Sequence, residues 1–177
     1  MFASLTNAFN RVLDLPVVSR VRRNHGLEHA TLHILSLKFP NKLMAGHSTS
    51  NGFRIMADLP LEAVQEGVDE ALERLRSGEQ NLAVHPNCGT NFVTAGTFAG
   101  LAGASAMLGV KRRTQDVLER LFLAAGLATI ALIAAQPLGM LLQAKVTTSG
   151  DPGEMSIESI TITQQGGMKV YFVRTRG

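Results

Sequence analysis

Residues 91–110 contain no charged side chain, and neither do residues 121–142. These two runs constrain the fold more than any other feature of the chain. As a helix rising about 1.5 Å per residue, a run of that length spans roughly 30 Å, the thickness of a bilayer core. Hydrophobic residues make up 45% of the chain but aromatics only 5%, so the apolar mass is Ala, Leu, Gly, Val and Ile. Long uncharged segments of that composition fit membrane helices better than a buried pair in a soluble domain. Lys111 to Arg120 then reads as a charged hairpin loop between two spans. Gly96 and Gly100 stand at the spacing that lets another helix approach closely, so a second copy or a partner membrane helix is expected there.

Around the apolar pair the pattern changes to that of a small soluble module. Phe2, Leu5, Phe9, Val12 and Leu13 recur at helical spacing, predicting a short amphipathic helix that packs on the module or lies at the membrane surface. Pro16 suits a first helical turn, and a helix is expected from there to about Leu37. Residues 43–48 and 52–58 read as strands around Ser50-Asn51-Gly52, and Pro60 opens a helix to about Ser77. Leu82-Ala83-Val84 reads as a third strand. After Lys145 the pattern is that of a hairpin turning at Gly166-Gly167. The expected fold class is α+β: an α-β-β-α-β module over 1–90, a two-helix transmembrane hairpin over 91–143, and a C-terminal β-hairpin over 144–177 packing on the module.

A net charge of +3 with scattered basic residues and no interleaved aromatics argues against nucleic acid and is compatible with anionic lipid. No basic start followed by an apolar run marks a cleavable signal. The expected location is the cell membrane, multi-pass, with the soluble parts on the cytoplasmic side. One cysteine, Cys88, excludes an internal disulfide framework.

The chemistry is concentrated in His25-Gly26-Leu27-Glu28-His29-Ala30-Thr31-Leu32-His33. On a helix, His25, Glu28, His29 and His33 share one broad stripe. Imidazoles at i and i+4 can hold one borderline-soft divalent ion, and a carboxylate beside them can take a water's proton. His-x-x-Glu-His is also the spacing of the inverted zinc peptidases. A second cluster, His85-Pro86-Asn87-Cys88-Gly89-Thr90-Asn91, places an imidazole and a thiol on one turn. Zinc suits such mixed ligands. His25, His29 and Cys88 would leave a fourth position open for water. Closure by His85 or His33 would make a four-ligand structural site instead. On the blander reading of the second cluster, Thr90 or Asn91 caps the following helix. His47 reads as a surface histidine.

Arg23-Asn24-His25-Gly26-Leu27-Glu28-His29-Ala30, the His85 to Asn91 run, the paired apolar helices and Gln136-Pro137-Leu138-Gly139 together resemble a family of small bacterial membrane proteins defined as a domain of unknown function. Residues 25–75 are also similar to the start of a pitrilysin-type peptidase domain. The similarity rests on the His-Gly-Leu-Glu-His helix, the strand around Ser48 to Phe53, and the Leu59-Pro60 entry to an acidic helix. That resemblance implies His25 and His29 as zinc ligands and Glu28 as general base. The family's third ligand, a downstream glutamate, has no counterpart, because the corresponding stretch here is already apolar. The expected function is a membrane-anchored, zinc-binding protein and candidate metallohydrolase. The alternative is a non-catalytic assembly subunit built on the same residues.

Overall fold

The computed structural model describes residues 2–110 and 114–177, the side chains of residues 2–6 and 8 excepted. Among the described residues the chain forms six helices and four strands in a mixed α+β arrangement. They are α1 (Phe2–Leu13), α2 (Pro16–Lys38), β1 (Met44–Thr49), β2 (Gly52–Ala57), α3 (Leu61–Arg76), α4 (Gly89–Ala106), α5 (Thr114–Ala134), α6 (Gln136–Leu142), β3 (Ser156–Gln165) and β4 (Met168–Arg176). The chain divides into two compact units, one made of residues 1–85 with 144–177, the other of residues 86–143.

In the first unit the strands form one antiparallel sheet in the order β1-β2-β4-β3. Gly52 turns β1 into β2 with a positive φ, and Gly166-Gly167 does the same between β3 and β4. Because β4 pairs with β2, the end of the chain lies in the middle of the sheet. Helix α2 packs on β1 and β2, and α3 packs on α2. Leu27, Ile34 and Leu35 of α2 meet Val64, Val68 and Leu72 of α3 in a core shared with Phe53, Ile55, Tyr171 and Val173 of the sheet. The Tyr171 hydroxyl donates to the Leu59 carbonyl, so the buried phenol keeps a partner.

Helix α2 is enclosed on more than one flank, which explains a burial pattern that includes Asn24, Glu28, His29 and Thr31. One flank faces the sheet. Another meets a short 3-10 turn, Gln80–Ala83. That turn corrects the expected third strand at Leu82-Ala83-Val84, since an apolar run of three residues does not separate strand from tight turn. A third contact comes from the segment returning after Ala144. The Arg22 guanidinium donates to the carbonyls of Lys145 and Thr148, and the Ser149 amide donates to the Arg22 carbonyl.

In the second unit α4 and α5 pack together, and α6 packs on both. Only α5, among the described residues, is long and apolar enough to cross a membrane. The run expected as a first span forms the 18-residue α4, where Gly, Thr and Ser dilute the apolar residues. The run expected as a second continuous span breaks at Ala135, and α6 restarts with Pro137 in its first turn. Of the expected Lys111–Arg120 loop, residues 114–120 are helical and belong to α5. Lys111, Arg112 and Arg113 lie outside the described residues.

Candidate metal centre

Successive turns of α2 carry His25, His29 and His33 at i, i+4 spacing, which puts them in one row. Each ring is held by a backbone carbonyl. His25 Nδ1 lies 2.9 Å from the Thr147 oxygen, His29 Nδ1 2.8 Å from Ala83, and His33 Nε2 3.0 Å from Val84. A carbonyl only accepts, so the ring nitrogen at each of these bonds carries the hydrogen. The lone pair of the neutral ring then sits on Nε2 of His25 and His29 and on Nδ1 of His33. This is how protein scaffolds fix the tautomer and aim of a metal-binding imidazole.

The rings are close enough to share a ligand. His25 and His29 have centroids 4.3 Å apart, and each brings a ring nitrogen within 4.8 Å of the other. Two imidazoles on one tetrahedral zinc, each about 2.0 Å from it through nitrogen, have centroids roughly 5 Å apart, somewhat wider than this pair. His85 joins the row from the loop after the 3-10 turn, 5.8 Å from His29 and 4.6 Å from His33 between centroids. Burial, reinforced by His33 and His29, lowers the His85 pKa to about 4. At neutral pH that ring is uncharged and keeps a lone pair.

Glu28 points from α2 toward β1. Its carboxylate accepts from the Ser48 hydroxyl and lies against Gly46, where an added Cβ would run into the carboxylate oxygen. Gly46 is therefore the residue that lets a carboxylate sit under the strand. Gly26 has a similar role on another flank: a Cβ there would collide with the Ser149 carbonyl oxygen and crowd Ala83. Asn24, one residue before His25, fixes the same stretch of α2 to the sheet. It donates to the Thr49 carbonyl at 2.8 Å and accepts from the Thr175 hydroxyl at 2.7 Å.

Five of the six expected site residues, His25, Glu28, His29, His33 and His85, lie in the first unit; the four rings stand beside one another, while the Glu28 carboxylate is turned to Ser48 and Gly46 of β1. His47 is exposed on β1, as a surface histidine should be. In the second unit Cys88 is the N-cap of α4, with its sulfur accepting from the Thr90 amide. Asn91 is not the cap. Its amide donates to the Pro86 carbonyl at 2.7 Å, and its oxygen accepts from Gln143 at 2.5 Å. Gly139 of the Gln136 to Gly139 run is the close-contact point, since a Cβ would approach the Asn91 oxygen to 2.7 Å. Ser48, Asn24, Gly46 and the carbonyls of Ala83, Val84 and Thr147 were not legible as site residues. Backbone acceptors leave no compositional mark, and hydroxyls are common on strands.

Fold and site together define a small α+β module with a histidine cluster, joined to an apolar helical unit. Residues 20–160 match the family described as Domain of unknown function (DUF6391), and the chain belongs to that family. It is also 36% identical over 167 residues to an uncharacterized protein of Picosynechococcus sp., covering 88% of this chain and 79% of that one. No solved structure matches.

Proposed function

We propose that the chain is a membrane-anchored metal-binding protein, with zinc the favoured ion, and that the centre on α2 serves a hydrolytic reaction. The observation that carries metal binding is the carbonyl-held histidine row. One nitrogen of each of His25, His29 and His33 is tied to the carbonyl of Thr147, Ala83 or Val84, which puts the lone pair of the neutral form at the other nitrogen. His25 and His29 are the proposed ligands, with His85 and His33 beside them. Cys88, three residues beyond His85 in sequence, is the thiolate proposed to join them.

When bound, the ion supplies Lewis acidity that lowers the pKa of a water toward about 7. Glu28 precedes His29 and lies one turn from His25, so its carboxylate is the proposed acceptor of that proton. Ser48 holds that carboxylate in one orientation.

Support for the membrane part comes from α5, whose apolar window has none of its length buried. Phe122, Ile130 and Ile133 are all more than 60% exposed. The chain leaves the first unit after His85 and re-enters it at Ala144, and strands from both stretches share one sheet. A sheet cannot straddle a bilayer, so a crossing by α5 requires a second crossing between them. Helix α4, less apolar than α5 but uncharged along its 18 residues, is the proposed second span.

A non-catalytic reading is favoured by one observation. His29 and Glu28 are only 3% and 4% exposed, which leaves little access for a substrate. In that reading the same residues form a structural centre in an assembly subunit. Its partner would approach through Gly96 and Gly100, where an added Cβ meets nothing within 4 Å.

Elemental mass spectrometry of protein purified without chelator tests both readings. About one zinc per chain, lost in His29→Ala and reduced in Cys88→Ala, is expected. Glu28→Gln should keep the metal and abolish hydrolysis. Absence of metal from wild type would overturn the centre, and four protein ligands with no bound water would favour the structural reading.

A further inference from the structure

The face of the sheet turned away from α2 has a composition that the candidate centre does not use. Strand alternation points Phe53, Ile55, Tyr171 and Val173 inward, each fully buried, and their neighbours outward. One outward row crosses all four strands as His47, Arg54, Phe172 and Thr161. Arg174, two residues along β4, shares the face. The guanidinium carbons of Arg54 and Arg174 lie 5.3 and 5.6 Å from the centroid of the Phe172 ring. Both arginines are exposed, and among the described residues neither forms an ion pair. The rows through Arg54, Arg174 and Met56 contain no carboxylate. Glu158, at the β3 irregularity, is taken by Arg176.

Two like charges drawn to one ring repel, and the ring's quadrupole offsets only part of that cost. An anion facing both would offset the rest. We propose that this face binds the phosphate headgroup layer of an anionic bilayer. Charge complementarity supports it, as do the half-buried Phe172 and Met56 beside the two arginines, an apolar patch next to cations of the kind that rests at the headgroup boundary. A single-stranded nucleic acid would need an open aromatic face on which to stack a base, and two guanidiniums already lie over the half-buried Phe172 ring. The proposal rests on the membrane reading above, because a chain held at a bilayer keeps its soluble unit within reach of headgroups.

The chain contains no tryptophan, so Phe172→Trp makes a single-tryptophan reporter of this face. The full-length variant is reconstituted in nanodiscs of zwitterionic lipid, with or without anionic lipid. The expected result is a blue-shifted emission, quenched by brominated lipid, in anionic discs alone and reversed by salt. Arg54→Gln with Arg174→Gln should abolish the shift and weaken retention of anionic lipid roughly 25-fold, at about fivefold per arginine. Equal emission in both discs overturns the proposal. A response to free phosphate or an oligonucleotide in zwitterionic discs overturns it in favour of a soluble polyanion. Should Phe172→Trp disturb the fold, retention of anionic lipid by the otherwise native chain and its double-arginine variant separates the same outcomes. A chain retained by anionic vesicles alone fails the spanning reading and upholds this one; a chain retained by neither fails both.

Discussion

The Ser48 hydroxyl donates to the Glu28 carboxylate across the contact between β1 and α2, and Gly46 on the same strand provides the space for that carboxylate. Gly46→Ala places a methyl group where the carboxylate oxygen lies. It should destabilise the fold by about 1–3 kcal/mol, the range for overfilling a packed site. Urea unfolding measures this. A midpoint equal to wild type would mean that Glu28 does not lie under the strand.

Gly26 and Gly100 both occupy helix interiors, where Ala is ordinarily favoured by up to about 1 kcal/mol. The structure separates them. Gly26→Ala meets the Ser149 carbonyl and Ala83, so the collision outweighs the propensity gain and a net loss of about 2 kcal/mol is expected. Gly100→Ala meets nothing within 4 Å and should leave the fold intact. Circular dichroism melts of the two variants against wild type decide it.

The ring protonation pattern can be read directly. Long-range nitrogen–proton NMR of the metal-free protein at neutral pH should find His25 and His29 protonated at Nδ1 and His33 at Nε2, because those atoms face carbonyls. Zinc should then shift the Nε2 signals of His25 and His29. An Nε2-protonated His29 would remove its lone pair from the centre and count against metal binding.

Asp58 provides a pH test away from the centre. The hydrogen bond from Lys42, the charge of Lys42 and then that of Lys169 hold its pKa below the ordinary value of 3.8. The folded state therefore binds a proton less readily than the unfolded chain. The pair's small contribution is present above the unfolded pKa and is lost as pH falls through the folded one. Lys42→Ala should raise the Asp58 pKa in a carboxyl-carbon NMR titration, and an unchanged value would mean that Lys42 does not hold this carboxylate.

Much of the fold was legible wherever one element's own pattern sufficed. The acidic, periodic stretch after Pro60 is α3, and the turn glycines mark both hairpins. The short strand at Leu82–Val84 failed because three apolar residues cannot specify a period, and burial of Ala83 by α2 settled the geometry as a turn. Within the candidate centre, the members on α2 were legible from their spacing. Their carbonyl partners were not, since every residue carries a carbonyl.

The sequence by itself determined the histidine row, because α-helical geometry converts i, i+4 spacing into one face regardless of what surrounds it. It also determined that residues 121–134 form an apolar segment and that tight turns fall at Gly52 and Gly166-Gly167. Only the tertiary structure decided which nitrogen of each ring carries its hydrogen, that Glu28 turns to Ser48 under the strand, and that His85 lies beside His33. Those outcomes depend on segments 20 to 122 residues apart in sequence meeting around α2. Such meetings are fixed by the packing of the whole core and leave no local periodicity to read.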